Sequence, residues 1–336
     1  MQALAWLDYT FASAPIWAWL LFLTVVIALM VFDLGVLNKT DHEIEIKESL
    51  WLSAGYIAIA LLFGGWIWWQ FGESSAIDYY TGFLVEKSLS MDNVFVFALI
   101  FGFLKIPRIY QYRVLVWGII AALILRAIFI GAGAALIAQF SWILWFFGAF
   151  LLITGVKMLF TKENDNQSFA ENPLLKWMNR HMKITNEFHG NRFWVTLIDP
   201  KTSKLTRFYT PLFVALILVN AADIIFAVDS VPAIFAITQD PFIVYTSNIF
   251  AILGLRALYF ALAAMIHRFH YLKYALALIL ILVGAKIILM MLGIKIPAVI
   301  ALGLTLAILI GGIVYSLWRT KTLDLAILHT RQNNHR

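Results

Sequence analysis

Long uninterrupted stretches of apolar residues dominate the pattern of this chain. An apolar run of about 18 or more residues is long enough to cross a bilayer as a helix. The runs are continuous and lack the period-two alternation of membrane β-strands, so they favour an all-α polytopic membrane protein. Nine runs meet this criterion: 16–36, 51–70, 79–104, 111–138, 141–160, 209–237, 242–265, 271–292 and 296–318.

Lysine and arginine alternate between the connections that join these runs. The positive-inside rule places Lys/Arg-rich connections in the cytoplasm. It therefore predicts a multi-pass protein of the bacterial inner membrane, with the N-terminus outside and the C-terminus in the cytoplasm. The basic set comprises 39–47, 105–113, 161–206, 268–273 and the tail from 319, whereas the other connections carry Lys295 alone.

Composition narrows the class of protein further. Hydrophobic residues make up 62% of the chain and charged residues 13%, against about 25% charged residues in ordinary soluble domains. The net charge of +6 is accounted for by topology, so the bilayer is an expected partner and nucleic acid is not. Cysteine is absent, which excludes disulfides and thiol redox chemistry within the chain. Nucleotide-binding and hydrolase motifs are also missing, so neither an enzyme nor a permanently bound cofactor is expected.

Three short segments recur in the same order in the two halves of the chain. Segment 86–94 aligns with 223–231, 118–126 with 248–256, and 154–157 with 283–286. Each copy would hold three helices, and because three is odd the second copy enters from the opposite side of the membrane. This pattern predicts a 3+3 inverted repeat, a common construction of secondary transporters. The predicted units are a two-helix extension 1–78, a first repeat 79–160, a cytoplasmic segment 161–208, a second repeat 209–292, and a last helix with tail 293–336.

The cytoplasmic segment has local structure of its own. Residues 172–180 are typical of a short amphipathic helix that begins at a proline, and 192–209 are typical of a β-hairpin. The simpler interpretation is a structured loop that lies on anionic lipid, and a module that binds a regulatory or partner protein is the alternative.

The predicted spans contain several ionisable side chains, each costing about 2.5–3.5 kcal/mol near the bilayer centre on insertion scales. Buried ion pairs that hold helices together are one explanation, and for Arg126 and Arg256 it is at least as good as a functional role. Lys157 lies near a cytoplasmic end, and Lys87 could neutralise Glu86. The full set is Asp33, Glu86, Lys87, Asp92, Arg126, Lys157, Asp223, Asp229, Arg256 and Lys286.

The carboxylates suggest a cation site instead. Glu86, Ser90 and Asn93 share one helical face, and Asp223 and Ser230 occupy the matching face of the second copy. Pro232 is predicted to break or kink its helix, and a break would free backbone carbonyls for coordination. Carboxylate, amide, hydroxyl and carbonyl oxygens suit Mg²⁺, Ca²⁺ or Mn²⁺, whereas the spans offer no histidine or cysteine for softer metals.

Segments 86–96, 223–238 and 240–256 resemble the signature segments of the TerC family of integral membrane proteins, and most closely its Alx branch. The resemblance extends from about residue 33 to residue 286. It implies a multi-pass inner-membrane protein linked to manganese export and, in the wider family, to tellurite resistance. The membrane acids of the family match Asp33, Glu86, Asp92, Asp223 and Asp229. Asn220 departs from the pattern, because the family often has Glu there.

These observations predict a transporter that exports a divalent cation, with Mn²⁺ as the expected substrate, driven by an ion gradient. The alternatives are a non-transporting scaffold and a redox or tellurite-stress modulator that acts through partners. The candidate metal ligands are Glu86, Asp92, Asp223, Asp229, Asn93, Ser230 and Asn220. The candidate ion-pairing or coupling residues are Asp33, Lys87, Arg126, Arg256 and Lys286.

Overall fold

The computed structural model describes residues 8–32, 45–140, 142–160, 173–198, 203–264, 272–294 and 296–333. Within these ranges the chain is almost entirely helical, as its continuous apolar runs require when backbone groups must be satisfied inside a bilayer. The helices are α1 (Ile16–Phe32), α2 (Ile46–Phe71), α3 (Glu73–Phe103), α4 (Arg108–Gln139), α5 (Ile143–Phe160), α6 (Pro173–His181), α7 (Pro211–Phe235), α8 (Pro241–Ala264), α9 (Leu272–Met291) and α10 (Ala298–Asn333).

Two small antiparallel hairpins complete the described fold. The first joins β1 (Thr10–Phe11) to β2 (Ala14–Pro15) immediately before α1. The second joins β3 (Trp194–Ile198) to β4 (Leu205–Tyr209), with Trp194 opposite Tyr209 and Ile198 opposite Leu205. Helix α6 and the second hairpin lie between α5 and α7 along the chain.

Seven of the described helices are long and apolar enough to cross a membrane: α2, α4, α5, α7, α8, α9 and α10. Two further predicted spans coincide with α1, an apolar helix of 17 residues, and with α3, a helix of 31 residues that carries several charges. The molecule is therefore an all-α, multi-pass integral membrane protein. The total of nine spans stays a prediction.

Local sequence explains where several helices begin. Asp240 accepts hydrogen bonds from the backbone amides of Phe242 (2.9 Å) and Ile243 (3.2 Å), and so caps the start of α8. Pro211 occupies the first turn of α7, where its missing amide hydrogen costs nothing. Gly72 joins α2 to α3 with a φ of 90°, a left-handed conformation that favours glycine.

The centre of the bundle is formed by α3 and α4, each of which packs against both α7 and α8. Helix α2 covers α8 and α3, and the most extensive contact between helices joins α5 to α9. At that contact a Cβ atom on Gly155 would lie 2.8 Å from the carbonyl oxygen of Ala277, and one on Gly284 would lie 2.9 Å from that of Gly148. Glycines therefore allow the two backbones to approach closely.

Of the break or kink predicted at Pro232, the break is wrong. Helix α7 continues through Pro232 and ends at Phe235, three residues later. Proline removes one backbone donor, but the residues before and after it keep helical geometry, as packed membrane helices commonly allow. The side-chain oxygens around α7, and not an unwound backbone, are therefore the groups available to a ligand here.

Candidate functional site

Arg126 on α4 is the centre of a buried polar cluster in the middle of the bundle. Its side chain is 1% exposed, and its guanidinium reaches residues on three other helices. Nη1 donates hydrogen bonds to Glu86 on α3, to Ser230 on α7 (3.2 Å) and to Asn248 on α8 (2.9 Å). Nη2 donates to Asp223 on α7 at 3.2 Å. One cation thus connects the four central helices.

Glu86 and Asp223 are the two carboxylates that share this guanidinium. The side chains are 0% and 6% exposed, so both charges are removed from solvent. A buried carboxylate is expensive unless it is paired and hydrogen-bonded, and Arg126 provides both kinds of compensation. One positive charge balances only one of the two carboxylates. The three side chains together therefore carry a net negative charge when all are ionised.

Several oxygen atoms of the cluster, and of the neighbouring residues Ser90 and Asn93 on α3, are buried without a hydrogen-bond partner in the described part of the chain. They are Glu86 Oε2, Asp223 Oδ2, Asn93 Oδ1 and Ser90 Oγ. Buried polar atoms of native proteins are satisfied in the great majority of cases, by water or an ion if not by protein. Two donors of the cluster, Arg126 Nε and Asn248 Nδ2, also lack a partner among the described residues. The unsatisfied carboxylate and amide oxygens are suited to a cation or to water that donates hydrogen bonds, and the two donors are suited to water.

A cavity of about 150 Å³ adjoins one side of the cluster. Glu86, Asn93, Arg126 and Ser230 provide its polar wall, and Met158 and Leu280 are among its apolar lining residues. A cavity of this size with several polar groups accommodates water molecules or a partly hydrated ion.

A smaller cavity of about 20 Å³ adjoins Asp223 on another side of the cluster. Asn220 lines it, and its Nδ2 donates to the Leu216 carbonyl (2.7 Å) while its Oδ1 has no partner among the described residues. Arg256 also lines this cavity and lies with its guanidinium carbon 4.6 Å from the ring centre of Tyr112. The two arginines of the aligned segments thus have different surroundings, since Arg126 bridges two acids and Arg256 stacks on an aromatic ring.

Lys87 does not neutralise Glu86, contrary to the expectation from their adjacency. Neighbouring residues on a helix point about 100° apart, and the Lys87 ammonium instead donates to the carbonyl oxygen of Ala251 on α8 at 3.2 Å. Gly254 leaves space for it, because a Cβ atom there would lie 2.7 Å from Lys87 Nζ.

Lys286 on α9 lies away from the central cluster and interacts electrostatically with Asp78, near the start of α3. Asp78 lies just before the predicted span 79–104. Neither residue has a described contact with Arg126.

Three predicted site residues fall outside the part of the chain whose side chains are described. Asp33 lies outside the described residues altogether, and Asp92 and Asp229 have a described backbone in α3 and α7 but no described side chain. Asp92 lies six residues beyond Glu86, and Asp229 six residues beyond Asp223, which is about 9 Å along each helix. Within the described residues, no group of three or more His, Cys, Asp or Glu side chains is placed to hold a metal ion.

Asn248 is the residue of the cluster that the sequence interpretation did not place in a site. It is fully buried, and its Oδ1 accepts from Arg126. The alignment of the two halves pairs Asn248 with Gly118, so the second copy carries an amide where the first has no side chain. A buried amide in an apolar helix was the available signal.

The fold and the cluster define a polytopic α-helical membrane protein whose central helices meet at a buried ionic network. The family model described as "Integral membrane protein TerC family" matches residues 71–324, and the chain belongs to that family. This match confirms the family resemblance inferred from the signature segments.

Relatives match over nearly the full chain. An uncharacterized membrane protein of Myxococcus xanthus is 46% identical over 90% of this chain and 92% of its own length. Another from Rickettsia bellii is 46% identical over 91% of this chain and 99% of its own. The Alx protein of Salmonella typhi, provisionally named a membrane-bound redox modulator, is 42% identical over 88% of this chain and 92% of its own length. No solved structure matches the chain.

Proposed function

We propose that the protein is an inner-membrane transporter that exports a divalent metal cation, with Mn²⁺ as its substrate. The observation that carries the proposal is the meeting of Glu86 and Asp223, from separate helices, at one buried guanidinium. A structural ion pair needs one acid for one base. The second buried carboxylate adds an unfavourable free energy of desolvation. It has unsatisfied oxygens and a polar cavity nearby, and binding a cation there would offset that cost.

Charge balance favours a divalent cation over a monovalent one. Two carboxylates are neutralised fully by one divalent ion but only half by Arg126. We infer that the cation takes the place of the guanidinium between Glu86 and Asp223, and that Arg126 returns when the ion leaves. Arg126 would thus keep the acids compensated between transport events, which lowers the cost of an empty site in a low-dielectric environment.

An inverted repeat would give this site its alternating access. Glu86 and Asp223 occupy aligned positions in the proposed copies, and the helices of one copy pack mainly on those of the other: α3 on α7 and α8, α4 on α7 and α8, and α5 on α9. Gly155 and Gly284 are also aligned, and each lies close to the backbone of the other copy: Gly155 to Ala277 and Gly284 to Gly148. These matching contacts support a repeat relation between the two copies. Rocking of one copy against the other would open the cluster to each side in turn.

The choice of Mn²⁺ rests on the oxygen-rich donor set and on the resemblance to the TerC family. Asp92, Asp229 and Asn93 are proposed as further ligands, and Asn220 as a weaker one because it lacks the charge of Glu. Buried carboxylates can also carry protons, so a proton gradient is the proposed driving force.

Transport by the purified protein tests the proposal. Proteoliposomes that contain a metal-sensitive dye would be challenged with Mn²⁺, Mg²⁺, Ca²⁺ and Zn²⁺, with and without an imposed pH gradient. We expect selective, gradient-dependent Mn²⁺ flux that Glu86→Gln and Asp223→Asn abolish. Glu73→Gln is the matched control, because Glu73 is an exposed acid on the same helix as Glu86, and it should transport normally.

Redox modulation through partners is the second candidate, and the printed name of the Salmonella typhi relative favours it. Since the chain has no cysteine, any thiol exchange would have to occur on another protein. Flux that is absent for every cation, in protein that is folded and correctly inserted, would reject transport and leave this candidate ahead.

A further inference from the structure

The hairpin of β3 and β4 has two faces of different character. Side chains alternate across a strand, and the register places one set of six on the outer face. Three of its large apolar members are strongly exposed: Trp194 at 49%, Ile198 at 67% and Leu205 at 75%. The outer face consists of Trp194, Thr196, Ile198, Leu205, Arg207 and Tyr209.

The opposite face is already used for packing. Val195 is 8% exposed, and Phe193, just before β3, belongs to the apolar cluster that includes Leu175 and Met178 of α6 and Leu212 of α7. The hairpin is therefore held against the body of the protein by its inner face. Among the described residues, the outer face contacts the body of the protein at Tyr209, whereas its large apolar side chains at Trp194, Ile198 and Leu205 stay exposed.

The outer face is continuous with the membrane-embedded part of the molecule. The ring of Tyr209 lies 4.6 Å from that of Phe213, in the first turn of α7, which is a candidate span. On the other side, the Arg207 guanidinium stacks 4.2 Å from the ring of Trp194 and 5.7 Å from that of Tyr209. The row from Trp194 to Phe213 thus follows the hairpin to the start of α7, a candidate span.

We propose that this outer face is a lipid-binding surface that lies in the headgroup layer beside α7. Tryptophan and tyrosine favour the membrane interface, and Ile198 and Leu205 provide apolar contact with the upper acyl chains. Arg207 and the neighbouring Lys204 favour anionic headgroups. A second copy of the chain is the less suitable occupant, because the contact of Tyr209 with Phe213 places the face beside the first turn of α7, a candidate span that lipid would surround.

The absence of native cysteine allows a direct test. Thr196→Cys on the outer face and Thr206→Cys on the inner face would each carry an environment-sensitive fluorophore. The two positions have the same residue type in the same hairpin, so each controls for the other. The labelled proteins would be reconstituted in vesicles of phosphatidylcholine alone or mixed with phosphatidylglycerol, with a nitroxide attached to the lipid headgroup.

We expect blue-shifted emission and strong nitroxide quenching at position 196, and weak quenching at position 206. Quenching at 196 should increase with phosphatidylglycerol, and the Lys204→Gln/Arg207→Gln double variant should remove that increase. If labelling at 206 lowers the melting temperature, the exposed position 186 (Asn186→Cys) serves as the control.

Equal quenching at the two positions, or none at 196, would overturn the proposal. So would label self-quenching that rises with protein density while lipid quenching stays absent, because that result assigns the face to a second copy. The measurement needs no transport activity, so it is independent of the proposed function.

Discussion

Nη2 of Arg126 lies 3.2 Å from Oδ1 of Asp223, which is 97 residues further along the chain. The same guanidinium is hydrogen-bonded to Glu86, so acids from two aligned segments share one buried cation. This relationship makes Arg126 the residue whose removal best separates a structural ion pair from a cation site.

Replacing Arg126 by Gln should destabilise the protein strongly in the absence of metal. Two buried carboxylates then lack a cation, and breaking a buried ion pair typically costs about 3–5 kcal/mol. If a divalent cation can take the place of the guanidinium, Mn²⁺ should raise the melting temperature of Arg126→Gln more than that of the wild type. Melting curves in detergent, with Na⁺ at equal ionic strength as the control, measure this. An equal Mn²⁺ effect on both proteins would contradict the exchange of Arg126 for metal.

Asp92→Asn and Asp229→Asn test the proposed ligands at the second pair of aligned acids. Each change keeps the size of the side chain and removes its charge. We expect normal abundance in the membrane but loss of Mn²⁺ resistance in cells that depend on this protein. Low abundance would instead indicate a structural ion pair, and normal resistance at normal abundance would remove both residues from the site.

Gly284→Ala should weaken the contact of α5 with α9. The added Cβ would lie 2.9 Å from the Gly148 carbonyl oxygen and 2.9 Å from the Leu152 amide nitrogen, so backbone must move. Overpacking of this kind typically costs about 1–3 kcal/mol, and the melting temperature should fall. Gly131→Ala is the control: no atom lies within 4 Å of its Cβ position, so it should be neutral or slightly stabilising. Equal melting temperatures for the two variants would show that the contact tolerates separation.

The predicted orientation can be tested with single cysteines at two exposed positions. Ser74→Cys lies in the first turn of α3, and Asn186→Cys lies between α6 and β3. A membrane-impermeant maleimide should label position 74 in intact cells and position 186 only after the inner membrane is opened, because Lys and Arg concentrate on the cytoplasmic side. The reverse labelling order would invert the topology.

Much of the local structure was predictable because it depends on neighbouring residues. Apolar runs predicted most of the membrane helices, and residues 192–209 were predicted to form a hairpin where the structure has β3 and β4. The amphipathic pattern predicted a short helix where the structure has α6. The predicted break at Pro232 is wrong because the propensity of proline describes an isolated helix, whereas packing against neighbouring helices keeps α7 continuous.

The sequence by itself determined that this is a helical membrane protein and that it carries buried charges, because hydrophobicity and charge are properties of single residues and their spacing. It also identified Glu86, Asp223 and Arg126 as unusual, since each is costly in a bilayer. Only the tertiary structure decided which charge meets which: Arg126 and not Lys87 pairs with Glu86, and Asn248 joins them. Packing contacts between residues far apart in the chain set the rotation of each helix about its axis. That rotation determines which charged side chains meet.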